Sequence, residues 1–186
     1  MRSVEATVLP DGAVSARRAA LAVAVLGMAA LALRPVSPVA GIVPVVVGAA
    51  AVAVPLRPGR RSIVGIWLLA VLAGVGAVAV ASPAGTAPAV GGSPVAVLVT
   101  LAAAIGEEAL FRRLGFAYLL RWGVAVAVVG SGVAFAMVHL PAYGPMAVWT
   151  NFGTGVLFGW QRWVTGGWSA PAVTHGVANL LAAGWL

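Results

Sequence analysis

Apolar residues run along this chain in long blocks separated by short polar, glycine- or proline-containing breaks. They do not alternate at the period of a half-buried strand, nor do they form one stripe on otherwise polar helices. The blocks cover residues 19–33, 36–56, 62–81, 94–121, 123–140, 146–164 and 169–186. A helix of about 20 residues crosses the roughly 30 Å hydrocarbon core of a bilayer. The pattern therefore predicts an all-α fold, a polytopic transmembrane helical bundle of about seven spans. The first block is short, since fifteen residues rise only about 22 Å. It reads as a thin or tilted retained span rather than a signal-peptide core, because the charged stretch ahead of it is long. Pro94 suits the first turn of the fourth helix, and the uncharged, proline- and glycine-containing stretch before it reads as a loop.

Composition narrows this further. Of 186 residues, 62% are hydrophobic and 8% are charged, against about 25% charged in a soluble domain. No polar stretch is long enough for a separate soluble domain. The organisation expected is a cytoplasmic tail over 1–18, N-terminal transmembrane helices over 19–93, and a second half, 94–186, that holds every candidate for chemistry beyond the tail. The absence of cysteine removes disulfides, thiolate metal sites and a cysteine nucleophile.

The net charge of +7 comes from eleven arginines set against Glu5, Asp11, Glu107 and Glu108. Because the arginines fall between apolar blocks, they read as topology signals, and nucleic acid is not an expected partner. A cytoplasmic N-terminus places Arg2, Arg17, Arg18, Arg57, Arg60, Arg61, Arg112, Arg113, Arg121 and Arg162 inside and Arg34 alone outside. The expected location is the cell membrane, as a multi-pass protein in contact with the lipid bilayer.

Against that background the pair Glu107–Glu108 stands out, since a charge at the centre of a membrane helix costs about 2.5 to 3.5 kcal/mol on insertion scales. Glu108 is four residues from Arg112, on the same helix face, and reads equally well as a structural ion pair. Glu107 points about 100° away and lies five residues from Arg112, a poorer pairing distance, which makes it the better candidate for a general base. Only two histidines are present, both in apolar blocks. His139 follows Phe135 by one turn, and Phe135 is either plain packing or the wall that orients the imidazole. Asn179 follows His175 by one turn, so the two share a strip of the last helix.

A turn near residues 121–123 folds the fourth and fifth helices into a hairpin. Glu107 lies fifteen residues before Trp122 and His139 seventeen after it, so the two come within roughly 3 Å of the same depth. His175 does not fit this arithmetic, because it sits only a few residues into the last helix. The expectation is that Pro141, Gly144 and Pro145 introduce a re-entrant or irregular segment. A carboxylate, two imidazoles and a side-chain amide are the groups needed to activate water and bind an oxyanion, as amide hydrolysis requires.

Three elements in order, Glu107-Glu108-Ala109-Leu110-Phe111-Arg112, Phe135 to His139 and His175 to Asn179, resemble the motifs of the CAAX protease and bacteriocin-processing family (CPBP, or Abi). That family includes the CAAX prenyl proteases of the Ras-converting type. The resemblance covers about residues 94–186, and the first three blocks match only in being apolar. It implies a glutamate-dependent intramembrane endopeptidase whose site opens toward the cytoplasm and acts on a peptide or protein substrate at the membrane. Glu107 would activate water with help from His139, and His175 and Asn179 would stabilise the oxyanion. Glu108, Arg112 and Phe135 would support them. Arg113 stands where the family commonly has glycine.

Other readings use the same residues. A bacteriocin-immunity or membrane interaction protein keeps the fold without turnover. A proton-coupled transporter also uses buried Glu and His, but this chain lacks the paired repeats typical of that class. No cofactor is expected, and the alternative is a zinc ion held by Glu107, His139 and His175.

Overall fold

The computed structural model describes residues 14–33, 41–56, 63–81 and 93–186. Residues 1–13 of the expected tail, the outer Arg34, the basic loop 57–61 and the loop 82–92 lie outside the described residues. The described residues form seven helices and no strand: α1 (Val14–Leu33), α2 (Val43–Ala53), α3 (Val64–Ala81), α4 (Pro94–Trp122), α5 (Val124–Tyr143), α6 (Val148–Thr165) and α7 (Ser169–Ala182). Three of them, α3, α4 and α5, are long and apolar enough to cross a membrane. The all-helical bundle agrees with the hydropathy pattern.

Several boundaries differ from expectation for local reasons. Helix α1 begins five residues before its apolar block and takes in Arg17 and Arg18, while its apolar part, Arg18–Leu33, stays shorter than a full span. Helix α2 has only 11 residues, with Pro44 in its first turn. At about 16 Å it is too short to span a bilayer by itself. Helix α5 continues through Pro141 to Tyr143 and ends at Gly144, where φ is 76°. A single 3₁₀ turn, Pro145–Ala147, then leads into α6, so the proline–glycine cluster makes a sharp corner instead of a re-entrant segment.

Helix α4 is continuous but not uniform. Ser93 caps it by accepting from the Ala96 N–H at 3.2 Å, and Pro94 occupies its first turn. Immediately after Glu108 the backbone widens into a π-helical stretch, Ala109–Gly115, in which the Phe116 N–H bonds to the Phe111 carbonyl. Nothing in the periodicity of the sequence announces this stretch.

The helices approach closely where glycines face each other, as small residues allow in membrane bundles. Gly48 of α2 lies on the backbone of Gly106 in α4, and Gly106 lies on Pro44. Gly132 of α5 meets Gly155 of α6 in the same way. Between these crossings Leu31, Val47, Leu110, Phe111, Leu114, Phe135 and Phe158 form the buried core.

Three arginines assigned to loops by the topology count are part of this interior. Arg112 and Arg162 are buried. Arg113 is half-buried and donates to the Ala51 and Val54 carbonyls, the latter at 3.0 Å. It thereby satisfies carbonyls left open at the C-terminal end of α2. These charges hold helices together and do not report on sidedness.

Candidate functional site

The site forms where α4, α5 and α7 meet. Gly106 lets α2 press against α4 one residue before Glu107, so the first acidic residue is fixed by a backbone-to-backbone contact. Glu107, Glu108, His139 and His175 are all buried. Glu107 Oε2 lies 3.4 Å from His139 Nε2 and 3.9 Å from His175 Nε2. The depth match between Glu107 and His139 across the hairpin therefore ends in side-chain proximity.

His175 joins the same point, which counting along upright helices did not anticipate. Helix α7 does begin close by, after the short turn 166–168, but it packs across α4 and α3. Its histidine reaches Glu108 directly, with Nδ1 donating to Oε1 at 2.9 Å. Simple rise arithmetic leaves out both the crossing of the helices and the reach of a glutamate toward an imidazole.

Each imidazole is held through Nδ1 and presents Nε2 to Glu107. His139 Nδ1 donates to the Phe135 carbonyl at 2.7 Å. A carbonyl only accepts, so the proton is on Nδ1 and the neutral ring offers a lone pair at Nε2. The Phe135 ring lies 4.3 Å from the His139 ring and 5.6 Å, edge-on, from that of His175. Phe135 is thus both core packing and the wall between the two imidazoles. On the far side of His139 the Tyr143 ring stacks at 5.7 Å.

Glu108 faces Arg112 as the i to i+4 spacing predicts, and it also reaches His175. Its Oε2 lies 3.3 Å from Arg112 Nε while Oε1 accepts from His175. Arg112 donates from Nη2 to the Gly155 carbonyl at 2.9 Å and sits among the Phe111, Phe135 and Phe158 rings, closest to Phe135 at 4.8 Å. The buried guanidinium therefore has one carboxylate, one carbonyl and three aromatic rings around it, although Nη1 makes no hydrogen bond among the described residues. Arg162 donates from Nε to the Arg112 carbonyl at 3.0 Å, inside the π-helical stretch.

Asn179 lies one turn beyond His175 and is partly exposed. Among the described residues its side-chain amide makes no hydrogen bond, whereas its backbone carbonyl accepts from Ala183. The amide is available to a ligand, although no contact ties it to Glu107.

Sequence reasoning passed over Gln161 and Thr174. Buried Gln161 donates to the Ala70 carbonyl and to Thr174 Oγ1, both at 2.8 Å. It reaches α3 only because Gly74 has no Cβ there. Thr174 directly precedes His175, so this link pins the start of α7. A polar amide inside an apolar helix was the available signal. No group of three His, Cys, Asp or Glu side chains among the described residues is arranged to hold a metal ion.

A family model described as type II CAAX prenyl endopeptidase Rce1-like matches residues 89–181. No curated protein and no solved structure matches the chain.

Proposed function

The chain belongs to the type II CAAX prenyl endopeptidase Rce1-like family, and from that premise we propose that it is an intramembrane endopeptidase of the glutamate-dependent kind. The carrying observation is the convergence of His139 Nε2 and His175 Nε2 on one oxygen of buried Glu107. A water between that oxygen and a substrate carbonyl would give its proton to Glu107, with the His139 lone pair sharing it. The resulting hydroxide attacks the carbonyl carbon. A C–O bond forms, the C–N bond then breaks, and the departing amine takes the proton held by Glu107.

The oxyanion of the tetrahedral intermediate needs donors close by. In this reading His175 donates from Nε2 when both ring nitrogens carry protons, its Nδ1 proton being held by Glu108, and Asn179 supplies an amide N–H. Glu107, Glu108 and Arg112 together carry one net negative charge, and a single imidazolium balances it. The Asn179 amide, which makes no side-chain hydrogen bond among the described residues, supports the role. Glu108, Arg112 and Phe135 act as positioning residues.

The substrate is a peptide or protein at the membrane, and the protein is multi-pass. A zinc ion held by Glu107, His139 and His175, which would polarise the attacking water, is the alternative to unassisted water activation. An immunity or interaction protein on the same fold would need the charges for structure alone. Terminal-peptide proteomics of cells carrying wild type or Glu107→Ala separates these readings. The peptidase reading expects a set of new termini that vanishes in the variant, and identical termini in both strains would remove it.

A further inference from the structure

Stability alone does not account for the amide of Gln161, which is fully buried on α6. Its Nε2 directs two protons to the Ala70 carbonyl of α3 and to Thr174 Oγ1 of α7, each at 2.8 Å. A carbonyl only accepts, so the amide nitrogen must face Ala70 and the orientation of the amide is fixed. That leaves Oε1 buried with no hydrogen bond among the described residues. A buried acceptor without a donor costs free energy that an apolar side chain of the same shape would not. Room for the amide is also specific, since a Cβ on Gly74 of α3 would fall on Gln161 Nε2 and against Thr174.

What the amide supplies is direction. Thr174 and His175 are successive residues of α7, so their side chains diverge by about 100°. Thr174 turns to Gln161, and His175 turns to Glu107 and Glu108. On the α4 side, α7 rests with Gly176 against the tip of the Leu101 side chain, an apolar contact with no preferred orientation. The directional restraints lie on the opposite side. Trp67 Nε1 of α3 donates to Ser169 Oγ at 3.0 Å in the first turn of α7, and Gln161 holds Thr174 in the second. Thr165 Oγ1 bonds the Gln161 and Gly167 carbonyls at 2.7 and 3.0 Å, which closes the turn between α6 and α7. A rotation of α7 by about 10° moves an atom roughly 6 Å from its axis by about 1 Å. That is enough to break the 2.9 Å bond between His175 Nδ1 and Glu108.

We propose that Gln161 is a positioning residue for His175: through Thr174 it fixes the rotation of α7, keeping His175 Nδ1 on Glu108 and Nε2 toward Glu107. The consequence for cleavage rests on the peptidase reading, whereas the consequence for the imidazole does not. Misplacing a reacting group by about 1 Å costs on the order of 10²-fold in rate. Because His175 serves the oxyanion in that reading, the loss falls on kcat and leaves KM in place.

Gln161→Met keeps the bulk of the side chain and removes the amide. Its unfolding temperature in detergent is expected to hold or rise, while kcat falls about 10- to 10²-fold with KM within about two-fold. Lower stability with unchanged kcat per folded molecule is the result of a merely structural role and overturns the assignment. Thr174→Ser keeps the hydroxyl and Thr174→Val keeps the shape, so serine should sustain kcat and valine should not; equal rates overturn it as well. With only two histidines in the chain, NMR of isotope-labelled histidine reads the rings directly, His139→Gln assigning the signals. The His175 Nδ1 proton signal should shift or broaden in Gln161→Met and Thr174→Val but not in Thr174→Ser, with the His139 signals in place throughout. An unmoved His175 signal in the first two variants defeats the positioning role even where cleavage falls. The expected His175 changes in a protein without Glu107-dependent cleavage defeat the peptidase reading alone.

Discussion

Gly48 and Gly106 meet backbone to backbone, one residue before Glu107, and a Cβ built on either would overlap main-chain atoms across the contact. Main chain cannot swing aside as a flexible side chain can. Gly106→Ala or Gly48→Ala is therefore expected to push α2 and α4 apart, destabilising the protein by about 1 to 3 kcal/mol and lowering cleavage by displacing Glu107 from His139. Gly76 of α3 has open space around its Cβ position. Gly76→Ala should leave activity unchanged and match or slightly raise stability, since alanine is the better helix former by about 1 kcal/mol. Thermal unfolding in detergent and cleavage rate, measured on all three variants, check the contrast. Equal effects at all three positions would sink the close-contact argument.

Glu107→Gln keeps the shape of the base and removes its ability to take a proton. Loss of general-base catalysis is typically worth about 10² to 10⁴ in rate, so cleavage should fall by that order while the unfolding temperature holds or rises. Activity within a few-fold of wild type would show that another group activates water.

The chain order of helices and the Glu107–His139 meeting were legible in the sequence because they rest on local quantities: block length, helical rise and the spacing of two residues about one tight turn. The π-helical stretch 109–115 was not, since apolar periodicity carries no mark of a local i to i−5 turn, and the Arg162 side chain that bonds the Arg112 carbonyl inside it comes from a distant segment. The approach of His175 was not either, because a helix crossing is a tertiary quantity. Counting every arginine as a loop charge failed for Arg112, Arg113 and Arg162 for a related reason, as their carbonyl, carboxylate and aromatic partners come from distant segments. The first half of the chain is also more than apolar filling, because α2 supplies the surface on which Gly106 rests.

The buried Glu108–Arg112 pair predicts strong non-additivity. Removing one member leaves an uncompensated charge in a dry interior and costs about 3 to 5 kcal/mol, whereas replacing both with neutral side chains of similar size is often tolerated. Glu108→Gln and Arg112→Met should each destabilise more than the double variant does. Activity should not return with stability in the double variant, because His175 loses the carboxylate that holds its Nδ1. Unfolding and cleavage measured across the full cycle check both halves, and simple additivity would show that the pair is solvated and of little consequence.

Arg113 closes the open end of α2, and hydrogen bonds from a charged group contribute about 1.5 to 3 kcal/mol. Its partial exposure puts the expected cost of Arg113→Ala at the lower end of that range. Arg113→Lys reaches only one of the two carbonyls at a time and should fall between alanine and wild type. Hydrogen exchange of amides in α2 is the direct measure, and unchanged protection in Arg113→Ala would remove the capping role.

Both imidazoles are anchored through Nδ1 to an oxygen and turn Nε2 toward the same carboxylate, an arrangement shared by many metal-binding histidines. The same arrangement serves the unassisted mechanism, since it orients each ring and holds both Nε2 atoms beside Glu107. What separates the two uses is dependence on a metal, because bound zinc would supply the acidity that Glu107 and His139 otherwise provide. Purified protein treated with a strong chelator and passed through a desalting column is expected to cleave at the untreated rate. Loss of activity on chelation, restored by stoichiometric zinc and absent in His139→Ala and His175→Ala, would replace the unassisted mechanism with a metal-assisted one at the same three side chains.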